Sequence, residues 1–187
     1  QYTNNIASVN EDNEELVAYR KSIKDISGRM GLNIVYPTTN DIVGNVHGFT
    51  DCFEVLKTGK YKYKYKSFCK DFLKRENIEK YSKKFTTIYD CIQTSKGIIF
   101  VHIPYVNQAI TFAMMLEEGG YSRHEKNNFL STTVPTNGKE YLYLTGETTK
   151  KFLNKSISNL NNTDNINGEK IKIVIATDVA KEGLNFF

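Results

Sequence analysis

Three short apolar runs in the second half of the chain constrain its fold more than any other feature. They cover residues 98–101, 141–144 and 171–176 and are rich in β-branched and aromatic residues, as buried strands are. Two apolar stripes at helical spacing separate them, in 106–118 and in 152–160. This order predicts an α/β fold with a parallel sheet, right-handed crossovers and helices on both faces.

The chain before residue 78 is less regular and predicts an N-terminal extension (1–77) ahead of the α/β domain (78–187). Residues 1–29 indicate a polar tail that leads into a helix, and 32–36 predict a short strand. Turn-forming residues in 44–50 predict a loop.

Other segments complete the predicted order of elements. Apolar residues recur at steps of three and four from Tyr81 to Ile92 and predict a helix ahead of the first run. We expect the strand at 98–101 to be covered on both faces. Gly119 and Gly120 predict the end of the helix after that strand, and the polar stretch 122–140 predicts an inserted loop.

Aromatic and basic residues alternate strictly from Tyr61 to Lys66. In an extended backbone this places every ring on one face and every ammonium on the other. Such a strand could stack bases and hold phosphates, but we favour an edge strand whose tyrosines pack on the core and whose lysines oppose aggregation. The wider basic block from Lys57 to Lys84 fits either phosphate neutralisation or a solvated surface.

The cysteines and histidines are too scattered to predict a metal or disulfide site. Cys52, Cys69 and Cys91 lack the even number and the paired spacing of a disulfide framework or zinc site, so we expect reduced, buried side chains. No apolar run approaches the length of a membrane span, and the first residues do not resemble a targeting signal. We therefore expect an intracellular domain with no membrane partner.

Residues that follow the three runs are candidates for a functional site, because ligands of wound parallel sheets bind at the carboxyl ends of the strands. Thr145-Gly146-Glu147 follows the second run, and Thr177-Asp178 begins the loop after the third. Hydroxyl, carboxylate and glycine residues suit a loop whose backbone amides approach phosphate. Thr177 or Asp178 could equally cap a helix, so the loop alone leaves both interpretations open.

The order of three segments adds a family resemblance. Residues 176–180 with 183–185 resemble motif V of superfamily-2 helicases, and 97–101 resemble motif IV. Residues 144–147 resemble the strand and turn that lie between these motifs, although the family more often has His or Ser before the glycine. The resemblance implies the second RecA-like lobe of a helicase or translocase.

The resemblance is strongest over residues 95–187. Over 19–94 the chain is similar to helicases of large cytoplasmic DNA viruses, both mimivirus-like and poxvirus-like, and the Glu-Gly-Leu-Asn sequence of 182–185 is closer to these than to DEAD-box proteins. The resemblance implies that Thr177 contacts a phosphate of a bound nucleic-acid strand and that Asp178 ties together the loop after the third run. The implied nucleic-acid contacts are Thr145, Gly146, Thr177 and Asp178, and the implied nucleotide contacts are Glu182, Gly183 and Asn185.

The sequence contains no Gly-x-x-x-x-Gly-Lys-Thr phosphate loop and no Asp-Glu pair for magnesium. The resemblance therefore implies that ATP and Mg²⁺ are bound mainly by a separate first RecA-like lobe, and that this chain alone does not hydrolyse ATP. The sequence ends before the family's Gln-x-x-Gly-Arg-x-x-Arg motif, so we expect a truncated lobe. The implied partners are an RNA or DNA backbone, the first lobe and viral transcription machinery, and the implied location is the host cytoplasm or the virion.

Two other classes of protein remain open. The chain could be a non-catalytic helicase-like module of a viral transcription or packaging factor, or an unrelated doubly wound nucleotide-binding or transferase domain. A phosphate-loop lysine and an Asp-Glu pair upstream in the full-length protein would distinguish the helicase from the non-catalytic module, and the unrelated domain would leave the ordered match to three helicase segments as coincidence.

Overall fold

The computed structural model describes residues 32–38, 47–57, 62–125, 127–131 and 134–178. The helices in these residues are α1 (Gly48–Cys52), α2 (Arg75–Ile78), α3 (Lys83–Thr94), α4 (Val106–Glu118) and α5 (Lys150–Leu160), with single 3-10 turns at Ser67–Cys69 and Thr163–Asn165. The strands are β1 (Phe53–Val55), β2 (Tyr63–Tyr65), β3 (Ile99–His102), β4 (Ser122–Arg123), β5 (Glu140–Leu144) and β6 (Ile171–Ala176).

A four-stranded parallel sheet in the order β3-β6-β5-β4 organises the fold. All six residues of β6, which lies between β3 and β5, are buried. The three strands predicted from apolar runs are confirmed, as are helix α3 before them and helices α4 and α5 between them. The predicted stop after α4 is also confirmed, because Gly120 adopts φ +87° and an added Cβ there would lie 2.9 Å from the Pro135 carbonyl oxygen.

The two faces of the sheet pack against different parts of the chain. Residues 141, 143, 173 and 175 join a large core with buried side chains of α3 and α4. Residues 142, 144, 174 and 176 join a smaller core with Leu160 of α5. This alternation follows from the period of two along a strand, and it gives the predicted α/β arrangement with helices on both faces.

Strands β1 and β2 form an antiparallel hairpin outside the main sheet. Tyr63 is buried, Tyr65 is half-buried and Lys64 is exposed, and Lys64 forms an ion pair with Glu54 at 3.1 Å. The favoured interpretation of the alternating segment, with tyrosines on the core and lysines outside, is therefore confirmed for these residues. Tyr61 lies outside the described residues.

Two predictions for the N-terminal part are wrong. Residues 32–36 form no strand. Instead, Ile34 and Tyr36 are buried in the core, and the Val35 amide donates to the Tyr81 carbonyl oxygen at 2.9 Å. The predicted loop at 44–50 is also wrong in its last part, because α1 begins at Gly48. The predicted tail and helix at 1–29 lie outside the described residues.

Two predictions for the main domain also need correction. The strand predicted to be covered on both faces is the edge strand β3, so Phe100 is 47% exposed. The predicted loop at 122–140 contains β4, which pairs with β5. The same segment places Phe129 and Leu130 in the core, where Leu130 forms a β-bridge with Tyr63.

The expectation that all three cysteines are reduced and buried is wrong. Cys52 and Cys69 form a disulfide with a Cα–Cα distance of 5.3 Å, and Cys91 is exposed. The pairing follows from the hairpin, because Cys52 directly precedes β1 and Cys69 follows β2. The Lys66 amide also donates to the Cys52 carbonyl oxygen at 2.9 Å and holds the two ends together.

Described residues from both sides of the predicted boundary between 77 and 78 share one core. Phe53 and Phe72 from the N-terminal side belong to the same buried cluster as Phe112 and Tyr141. Among the described residues, no helix has the length and apolar character needed to cross a membrane.

Candidate functional site

The carboxyl ends of three strands meet at one edge of the sheet. His102 and Leu144 both pair with Ala176, so β3, β5 and β6 end in register. The Ile103 amide donates to the Ala176 carbonyl oxygen at 3.0 Å, and the Thr177 amide donates to that of Leu144 at 3.1 Å. The predicted site residues after β5 and after β6 therefore begin next to each other.

The turn after β5 is closed by its own hydrogen bonds. The Thr145 amide donates to the Thr148 hydroxyl at 2.9 Å, and the Glu147 amide donates to the Thr145 hydroxyl at 3.3 Å. Gly146 is exposed, and a Cβ added there would meet no atom within 4 Å. The turn therefore presents an uncovered backbone at the edge of the sheet.

The two predicted residues after β6 have different environments. Thr177 is only 4% exposed, so its side chain does not face solvent. The Asp178 carboxylate is exposed and lies 3.3 Å from Nε2 of His102, the last residue of β3. Asp178 thus links the ends of β3 and β6.

The structure places all four residues predicted to contact nucleic acid at the carboxyl edge of the sheet. They are Thr145, Gly146, Thr177 and Asp178. The predicted nucleotide contacts Glu182, Gly183 and Asn185 lie outside the described residues. Their roles stay predictions.

A cleft of about 330 Å³ opens directly beside Gly146. Its walls come from the turn after β5, the first turns of α4 and α5, and the residues Lys62, Arg123, Phe129 and Tyr143. Lys62 belongs to the basic block from Lys57 to Lys84, but the other three were not selected in the sequence analysis. Lys62 precedes β2 and Arg123 ends β4. The cleft therefore draws its cations from segments far apart in the sequence.

Arg123 is held by stacking on aromatic rings. Its guanidinium carbon lies 4.1 Å from the centroid of the Phe129 ring and 5.5 Å from that of Tyr143, distances at which a cation is attracted to the ring face. Burial lowers the pKa of Arg123 from its ordinary value, but an arginine side chain remains charged at neutral pH. The two rings thus fix a positive charge at the wall of the cleft.

A buried carboxylate positions the segment that carries Phe129. Glu117, at the end of α4, accepts hydrogen bonds from the amides of Phe129 (2.8 Å) and Leu130 (2.7 Å) and from the hydroxyl of Tyr141. Burial raises the pKa of Glu117 to about 7. Because two backbone donors converge on one carboxylate, the Phe129 ring is held in place under Arg123.

Within the described residues, no group of three His, Cys, Asp or Glu side chains could hold a metal ion. No protein-family model matches the chain, and no curated protein is significantly similar to it.

Proposed function

We propose that this chain is the second, RecA-like lobe of an ATP-dependent helicase or translocase and grips the sugar-phosphate backbone of a nucleic-acid strand. One observation carries the proposal. The loops after β5 and β6, which hold the residues resembling helicase segments, start side by side at the carboxyl edge of a parallel sheet, where wound sheets bind ligands.

The exposed part of this edge suits contact with a phosphate backbone. Gly146 offers an uncovered peptide unit, and backbone amides bind phosphate oxygens without regard to base sequence. Asp178, tied to His102, would couple the loop that contacts the nucleic-acid strand to residues 182–185. In the family, these residues face the nucleotide. Thr177 is buried, so its role in this proposal is to shape the loop.

The motor would work through two lobes. ATP and Mg²⁺, bound mainly by the first lobe, draw the lobes together, and hydrolysis releases them. The grip of each lobe on the strand then alternates, which moves the protein along nucleic acid. This chain supplies one grip and half of the nucleotide cleft.

The test is ATP hydrolysis by the full-length protein with and without single-stranded RNA and DNA. We expect nucleic acid to increase turnover, because strand binding favours the closed arrangement of the lobes. A protein that binds ATP but is stimulated by no nucleic acid would contradict the proposal. Tight nucleic-acid binding without any ATP turnover would instead identify the non-catalytic module of a transcription or packaging factor.

A further inference from the structure

The cleft beside Gly146 is lined by more positive than negative charge. Lys62 and Arg123 face it, against the single carboxylate of Glu147. Among the described residues, the Arg123 guanidinium has no hydrogen-bond or ion-pair partner, and it lies over the aromatic rings of Phe129 and Tyr143. A charged, half-buried fork of N–H donors is thus available to an acceptor in the cleft.

Tyr143 contributes a second unused donor. The residue is 8% exposed, and its hydroxyl is buried without a hydrogen-bond partner in the described part of the chain. Burial raises the pKa of Tyr143, so the hydroxyl keeps its proton at neutral pH. An unsatisfied buried hydroxyl is costly, and Tyr143 lines the cleft, so a ligand oxygen that reaches the hydroxyl would satisfy it.

The first turn of α5 forms another wall. Thr148 and Thr149 line the cleft just before this helix of 11 residues, and helix N-termini present backbone N–H groups and a partial positive charge to anions. Cationic side chains, a buried hydroxyl and a helix N-terminus therefore converge on one space next to the proposed strand grip.

We propose that this cleft is a phosphate subsite in which Arg123 and Lys62 supply positive charge and the Tyr143 hydroxyl donates a hydrogen bond to a phosphate oxygen. The phosphate belongs either to a strand that passes Gly146 or to a free nucleotide. The first source rests on the proposed function, whereas the second does not.

The test measures binding of two probes to the 187-residue chain, a labelled single-stranded oligothymidine and ATP, over a range of salt concentrations. Arg123→Gln removes the charge and Tyr143→Phe removes only the hydroxyl. Lys170→Gln is the matched control, because Lys170 is exposed and precedes β6 at the opposite edge of the sheet. Thermal melting of each variant verifies that it folds.

We expect Arg123→Gln to weaken probe binding about tenfold, since a charge-assisted hydrogen bond is lost. For the oligonucleotide, the slope of log affinity against log salt should also fall by about 0.7. Tyr143→Phe should weaken binding about threefold while leaving the melting temperature unchanged or higher. Lys170→Gln should change little, and Arg123→Lys should restore part of the affinity because the charge returns without the fork.

The outcomes separate this subsite from the proposed function. Weakened oligonucleotide binding in both cleft variants supports a strand phosphate. If only ATP binds and the cleft variants weaken it, the subsite stands for a free nucleotide and the strand grip fails. Oligonucleotide binding that neither Arg123→Gln nor Tyr143→Phe alters overturns the subsite and leaves the grip intact. Failure of both probes to bind overturns both.

Discussion

Gly146 has open space where other residues would carry a side chain. Because a Cβ added there would meet no atom within 4 Å, Gly146→Ala should leave the free energy of unfolding within about 0.5 kcal/mol of wild type. A strand that approaches the backbone closely would collide with the added methyl group. We therefore expect weaker oligonucleotide binding at unchanged stability, measured by titration and by denaturant unfolding.

Gly119→Ala provides a contrasting control for this prediction. An added Cβ at Gly119 would collide with the Tyr89 hydroxyl group, so this change should alter stability rather than binding. Equal oligonucleotide affinity of wild type and Gly146→Ala would show that no ligand approaches the turn.

Glu117 is a residue whose protonation links pH to stability. Burial raises its pKa from 4.5 to about 7, so the folded chain holds a proton that the unfolded chain releases in this interval. The associated stability is fully present below pH 4.5 and is lost as pH rises through about 7. Neighbouring Tyr141 and Arg123 oppose the rise in pKa, but burial outweighs them.

Denaturant unfolding of wild type and Glu117→Gln between pH 4.5 and 8 checks this. The stability of wild type relative to the variant should fall by up to about 3 kcal/mol across the interval. The variant should also be less stable at low pH, because its amide presents a donor where two backbone amides donate. Parallel pH profiles for the two proteins would show that Glu117 does not titrate here.

At the scale of elements, the β1–β2 hairpin is closed by the Cys52–Cys69 disulfide. The two residues are 17 positions apart, and a cross-link that closes a loop of this size stabilises a fold by about 3 kcal/mol in the chain-entropy description. Cys69→Ser should therefore lower the melting temperature, whereas Cys91→Ser should not, because Cys91 is exposed and unpaired.

Thiol titration gives a direct check of the same pairing. Chain denatured without reductant should contain one reactive thiol, that of Cys91. Three reactive thiols in protein purified without reductant would contradict the disulfide.

The elements that the sequence predicted best are those with a continuous apolar run or a single apolar stripe. The runs at β5 and β6 are buried on both faces, and α3 has one apolar stripe with its N-terminus capped by Ser82. The predictions failed where tertiary contacts decide the outcome. The same apolar run that predicts a central strand forms the edge strand β3, since composition does not specify position in a sheet.

At the scale of the whole molecule, the sequence predicted the common edge but not the cleft. Parallel strands end on one side of a sheet, so the placement of Thr145 and Thr177 at the same edge followed from the order of elements alone. Lys62, Arg123 and Tyr143 carry no local pattern that relates them. They meet because the Lys62 and Tyr63 amides both donate to the Phe129 carbonyl oxygen, a long-range contact that periodicity cannot indicate.

The contact of the Lys62 and Tyr63 amides with Phe129 has a consequence for the stability of the chain when a ligand fills the cleft. The cleft is assembled from Lys62 before β2, from β4 and β5, and from the starts of two helices, so it exists only when these segments have come together. An occupant would bind the folded chain alone and would shift the folding equilibrium by mass action. Ligand binding and folding are then coupled. A bound ligand would protect the chain from heat and proteases, and an empty cleft would leave the hairpin easier to detach.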